Sequence, residues 1–130
     1  MGEILVKKYL CVDDSFNNGF DGGFDLIFNG KRIDVKTMGR TVDVKSYYVN
    51  NFVSYQKDFN CDIYIFCSLN KLKNILTICG WVTKNELIER ALFYDKGTIR
   101  KRSNNSQFTL KAPTYEIENN KLNDFRELFM

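Results

Sequence analysis

The residues best equipped for chemistry lie in one short stretch, FDLIFNGKRIDVKT, residues 24 to 37, which carries Asp25, Asp34 and Lys36. Asn29-Gly30 between two β-prone runs predicts a two-residue hairpin turn, because both residues tolerate the positive φ of a type I′ turn. Side chains alternate along a strand, so Asp34 and Lys36 share one face while Ile33, Val35 and Thr37 share the other. The hairpin returns Asp25 beside them. Two carboxylates held together away from water repel unless a cation lies between them. Mg²⁺ suits such a place, since it takes one or two carboxylates together with water and a substrate phosphate, and needs no histidine. Beside it, a lysine amine can orient or help deprotonate an attacking water and offset charge on a phosphate oxygen. Two aspartates, a lysine and a hard cation describe phosphodiester hydrolysis, with Asp25 and Asp34 as metal ligands and Mn²⁺ able to replace Mg²⁺.

Composition narrows the alternatives. The chain has no histidine, which removes most zinc sites and the usual Ser-His or Cys-His nucleophiles. Cys11, Cys61, Cys67 and Cys79 form no CxxC pair. The last three sit in β-rich apolar sequence and read as reduced core residues. With 130 residues, 44% of them hydrophobic, a single domain spanning residues 1 to 130 is expected. No apolar run reaches membrane-span length, and the lysines of MGEILVKKYL lie inside its periodic segment, so a cytoplasmic chain without membrane attachment is expected. The net charge of +3 leans mildly towards anionic partners.

The elements that must position the hairpin follow from periodicity. Leu5 with Tyr9 and Val6 with Leu10 predict a short amphipathic helix over residues 2 to 10, followed by the turn-rich loop DDSFNNGFDGG. Strands are expected at 24 to 28 and 32 to 38, then a third strand or extended loop in TVDVKSYYV. A short helix in NNFVSYQKDF is capped by Asn50 or Asn51. CDIYIFCSL predicts a central strand covered on both faces, with NILTICG as its neighbour. Thr83 and Glu86 have capping-box spacing, which predicts a helix over 84 to 94. A basic loop RKRSNNS, a strand in FTLKAPTYEI and a closing helix in NKLNDFRELF complete the chain, the last with Leu122, Phe125 and Leu128 or Phe129 inward. The expected class is α+β, sandwich-like, with a mixed central sheet flanked by helices.

The pattern D25-x8-D34-V-K36 on such a hairpin resembles the PD-(D/E)xK nuclease superfamily. CDIYIFCSL followed by ILTICGWVTKNEL is similar to the strand, strand, Gly-aromatic turn and helix that follow the active-site lysine in small restriction-like and phage-type nucleases. The likeness covers most of the chain. It implies a restriction-endonuclease-like core and a Mg²⁺-dependent DNA endonuclease. Asp25 then stands for the first acid, Asp34 for the second and Lys36 for the lysine. Glu3 matches the acid that many members add from an N-terminal helix. Phe24 replaces the motif proline, and the second acid is Asp rather than the commoner Glu. Gln56 lacks the tyrosine of the RecB-like branch, since Asn60 stands in its place.

Blander readings exist for each feature. A DxK on an exposed strand is an ion pair worth little, and a glutamate in a first helical turn suits the helix dipole. The calcium-loop frame starting at Asp14 fails, because Phe16 falls on a ligand position. Arg100, Lys101 and Arg102 are candidate phosphate contacts against a solvated-loop alternative. Tyr47, Tyr48, Phe52 and Tyr55 are read as core rather than as base-stacking residues. The rival from another class is a non-catalytic module of the same fold that grips nucleic acid or a protein. One such site cuts one strand at a time, so a homodimer is compatible with the nuclease reading.

Overall fold

Asn29 and Gly30 adopt φ of 50° and 76°, the left-handed pair that lets a two-residue turn match the twist of its strands. They join strand β1 (Leu26–Phe28) to strand β2 (Lys31–Arg40), with Leu26 opposite Ile33 and Phe28 opposite Lys31. The computed structural model describes residues 26–53, 61–102 and 105–129. The expected helix over 2 to 10, the loop after it, Glu3, Cys11, Asp25, Tyr55 and Gln56 lie outside these residues.

Strand β2 pairs in parallel with β4 (Ile63–Asn70), from Ile33 opposite Ile63 to Arg40 opposite Asn70. Parallel neighbours need a long crossover, and the chain between them supplies it, including strand β3 (Val49–Val53). Strand β5 (Ile75–Thr83) returns antiparallel to β4. The turn between them is held by Asn70, whose Oδ1 accepts the backbone N–H groups of Leu72 and Lys73. The resulting sheet runs β1-β2-β4-β5 and is mixed. As its apolar run predicts, β4 is covered on both faces. Ile63, Ile65 and Cys67 pack with Leu26 and Ile33, while Tyr64 and Phe66 pack with Phe52, Val82, Leu87, Tyr115 and Ile117.

The layer over Tyr64 and Phe66 differs from the expected helices. It is largely a second sheet, β3-β9-β6, formed by β3, β9 (Thr114–Glu118) and β6 (Leu92–Tyr94). The one α-helix among the described residues, α1 (Lys84–Arg90), adds Leu87. Thr83 and Glu86 form the expected reciprocal cap. The helix ends four residues before the predicted 94, because Leu92–Tyr94 pair with β9 instead. Strand also replaces the predicted start of a helix at Asn50 or Asn51. The buried Asn50 amide donates to Ile117 O and Asn119 Oδ1, at 3.2 and 2.8 Å, so its hydrogen bonds lie across the sheet rather than along its own chain. The TVDVKSYYV stretch is loop until Val49.

The closing segment buries the expected side chains in a different form. Two 3₁₀ turns, Asn119–Lys121 and Phe125–Phe129, replace an α-helix. Between them Asn123 exchanges backbone hydrogen bonds with Trp81, at 2.8 and 3.0 Å, and so cannot continue a helix. Leu122, Phe125 and Leu128 still pack against the cores. The predicted strand in FTLKAPTYEI is split into β8 (Gln107–Thr109) and β9, and β8 pairs with β7 (Ile99–Lys101) as a separate ribbon. The supposed basic loop therefore begins as strand. Cys61, Cys67 and Cys79 are free thiols, the first two buried and the third half-buried. Among the described residues no helix is long and apolar enough to cross a membrane.

Where Trp81 meets Asn123, Gly80 has φ 154°, and a Cβ there would lie 2.5 Å from the carbonyl oxygen of Asn123 and 2.7 Å from Leu122 Cβ. Gly80→Ala is expected to destabilise the protein by about 2 to 3 kcal/mol through strain and overpacking. Urea unfolding monitored through Trp81 fluorescence measures this as a lowered midpoint at unchanged slope.

Candidate functional site

Alternation along β2 puts Asp34 and Lys36 on the face that looks towards the second sheet. Lys36 Nζ lies 2.8 Å from Asp34 Oδ2. The Asp34 side chain keeps 12% of its exposure and the Lys36 side chain 26%, so this is not the solvated surface pair that a bare DxK suggests. Phe52 of β3 stands under the amine, its ring centre 5.9 Å from Nζ, and meets Tyr64 edge-on at 4.6 Å. Asp34 is opposite Tyr64 in the parallel ladder. The aromatic pair gives the amine an apolar wall, in which a charge interacts more strongly than in water.

The residues just before the site hold it in register. Asp62, at the start of β4, accepts the backbone N–H of Arg32 at 2.8 Å and its guanidinium at 2.9 and 3.1 Å. These bonds keep the Asp62 carboxyl down at about 2. Cys61 sits beside the same junction and donates to Ile63 O at 3.1 Å and Arg32 O at 3.5 Å. Burial, reinforced by the negative charge of Asp34, pushes its thiol up to about 11, so a neutral thiol neighbours the carboxylate at ordinary pH. Further along the same face Arg40 donates to Val49 O at 2.8 Å and lies over the Tyr48 ring at 4.5 Å. Burial lowers its pKa.

Of the residues singled out from sequence, Asp34 and Lys36 are brought together. Asp25 and Glu3 lie outside the described residues, as does any contact they make. Among the described residues no group of three or more metal-ligating side chains occurs, and Asp34 is the carboxylate that faces Lys36. Arg100 is not free for phosphate, because its guanidinium forks onto Glu116 Oε1 and Oε2 at 2.8 and 2.9 Å. Lys101 and Arg102 remain exposed. Phe52 is a core aromatic on this face, Tyr48 is half-buried beneath the Arg40 guanidinium, and Tyr47 is exposed. Sequence reading misses Cys61 and Tyr64 as neighbours of Asp34. Their only signal is that CDIYIFC is a central strand, without the register that selects its partner.

Compared with known proteins, the chain matches no family model, no curated protein and no solved structure.

The Arg32–Asp62 clamp has a pH signature. A carboxyl whose folded pKa falls from 3.8 to about 2 adds stability that is fully present above its unfolded value and is lost as pH drops through the folded one. Asp62→Asn should therefore cost the same stability at pH 5 and pH 7, with the difference from wild type shrinking below about pH 4. Urea midpoints of both proteins across pH 2 to 7 check this, and a difference that grew towards low pH would contradict it.

Proposed function

We propose that the protein is a metal-dependent DNA endonuclease of the PD-(D/E)xK type, with Asp34 and Lys36 at the centre of its active site. The observation carrying this reading is the 2.8 Å Asp34–Lys36 pair, recessed between two sheets on the second strand of a tight hairpin. Burying an ion pair seldom adds net stability over apolar residues of similar size. Such a pair on a core strand is better accounted for by chemistry than by packing. The order of hairpin, parallel neighbour β4, antiparallel β5 and capped helix α1 supports a restriction-endonuclease-like core.

Asp34 offers the hard carboxylate oxygen that Mg²⁺ or Mn²⁺ accepts, and one or two such ligands suffice when water and a phosphate complete the shell. The other metal-binding acid of the proposal is Asp25, the first acid of the motif, which precedes Leu26 in sequence, and Leu26 is registered to Ile33, the residue before Asp34. Glu3 is the proposed assisting acid. When bound, the cation supplies Lewis acidity towards the phosphate and lowers the pKa of a coordinated water. Lys36 orients the attacking water and balances charge that builds on the phosphate oxygens. Water forms one P–O bond as the bond to the leaving sugar oxygen breaks, and that oxygen gains the proton the water loses. The products are a phosphate monoester end and a hydroxyl end. One site cuts one strand, so double-strand scission would use a second copy.

Purified protein incubated with supercoiled, linear, single-stranded and branched DNA in Mg²⁺, Mn²⁺ or EDTA tests the reading. Metal-dependent cleavage is expected, reduced by about 100-fold or more in Asp34→Ala and Lys36→Ala, with both variants folded by circular dichroism. A wild type inert on every substrate, or folded variants as active as wild type, would overturn it in favour of a non-catalytic binding module.

A further inference from the structure

The β7–β8 ribbon stands apart from both main sheets and carries a charge unlike the rest of the chain. Residues 96 to 111 contain Lys96, Arg100, Lys101, Arg102 and Lys111 and no acid, so five of the 19 basic residues lie there, leaving 14 against 16 acidic elsewhere. The net positive charge of the protein is thus a property of this one segment.

Its two faces have different roles. Arg100 and Phe108 are opposite each other and turn inward. Arg100 forks onto the buried Glu116 of β9 and stacks on the Tyr94 ring at 4.0 Å, while the Arg102 guanidinium covers the Phe108 ring at 4.5 Å. Arg100 is therefore an anchor, fixing the ribbon to the second sheet through the planar geometry that only a guanidinium offers. The outward face carries the directly opposed pairs Ile99 with Thr109 and Lys101 with Gln107, all four exposed. Lys96 and Lys111 are exposed around them, and Arg102, whose guanidinium lies over Phe108, is exposed at the edge of the ribbon. Backbone pairing extends beyond the three registered pairs, through Gly97 N to Leu110 O and Arg102 N to Ser106 O, each at 2.8 Å, so the arm is an ordered ribbon rather than a charged loop.

We propose that this ribbon enters the major groove of duplex DNA, with Lys101 and Gln107 towards base edges and Lys96, Arg102 and Lys111 on the flanking phosphates. The inference rests on the nucleic-acid reading above and goes beyond it. Two strands about 4.8 Å apart fit a groove about 12 Å wide. The outward side chains are of types that read base edges there: lysine towards guanine acceptors, glutamine towards adenine, and isoleucine and threonine methyls towards thymine. The cations beside them supply the phosphate contacts that set register. A face meant only to be soluble would not need an anchor as specific as the Arg100–Glu116 fork.

Fluorescence anisotropy with labelled duplex DNA in EDTA tests this without turnover, using duplexes enriched from a random pool and an unselected control. Lys96→Gln, Arg102→Gln and Lys111→Gln should weaken binding to both duplexes alike, each flattening the slope of log affinity against log salt by about 0.9. Gln107→Ala and Lys101→Ala should instead narrow the gap between enriched and control duplexes. If the ribbon variants keep wild-type affinity, slope and discrimination while Asp34→Ala abolishes cleavage, the ribbon assignment falls and the nuclease reading stands. If cleavage is absent but ribbon variants still lose duplex binding and discrimination, the reverse holds. Equal binding of polyglutamate of matched charge, with no discrimination between duplexes, would reduce the ribbon to a general polyanion surface and overturn groove recognition.

Discussion

The parallel pairing of β2 with β4 is the constraint on which the rest depends. Eight consecutive residue pairs run from Ile33 opposite Ile63 to Arg40 opposite Asn70. The ladder is fastened at both ends, by the Arg32–Asp62 clamp where it begins and by Lys71 N donating to Arg40 O at 2.8 Å where it finishes. Because side chains alternate, a slip of one residue would bring Ile33 and Val35 to the Asp34 face and drive two charges into the apolar cluster around Ile63 and Ile65. Register and site are one specification. The hydrophobic pattern fixes which face each residue takes, and the clamp fixes which residue of β4 stands beside Asp34.

Two buried or recessed ion pairs in this protein have different purposes. Arg100–Glu116 is a fork with both carboxylate oxygens occupied, and it joins one ribbon to one sheet. Among the described residues, Lys36–Asp34 uses one carboxylate oxygen, Oδ2, and lies against Phe52. The first satisfies its charges and is structural. The second keeps acceptor capacity on Asp34, which is what a hard cation or a water would use. That contrast is the physical basis for proposing catalysis at the hairpin and for reading Arg100 as the anchor of the β7–β8 ribbon.

What is legible in the sequence is what its own short-range chemistry decides. Asn29-Gly30 specifies the turn through φ, Thr83 and Glu86 specify a helix start, and the apolar run of β4 specifies burial on both faces. All three require only neighbours within a few residues. Asn50 has the chemistry of a good helix cap, but its partners are Ile117 and Asn119, more than sixty residues away. The continuation of α1 to 94 and the closing helix fail for the same reason, since β9 and Trp81 claim those backbone groups. Arg100 is recognisable as a cation from sequence but not as one half of a fork, because Glu116 reaches it only through the fold. Within the site, the Asp34–Lys36 relation is a strand periodicity and is legible, whereas Phe52 under the amine and Cys61 beside the carboxylate depend on the pairing of separate strands.

The central claim is that Asp34 is recessed beside Lys36 in order to hold a cation there. Calorimetric titration of Mn²⁺ into wild-type protein and into Asp34→Asn, which keeps the shape of the side chain but removes its charge, tests it most directly. The account predicts saturable binding at a site of the wild type that is lost, or weakened by at least tenfold, in the variant. Identical stoichiometry and affinity in the two proteins would contradict it and return the Asp34–Lys36 pair to a structural role.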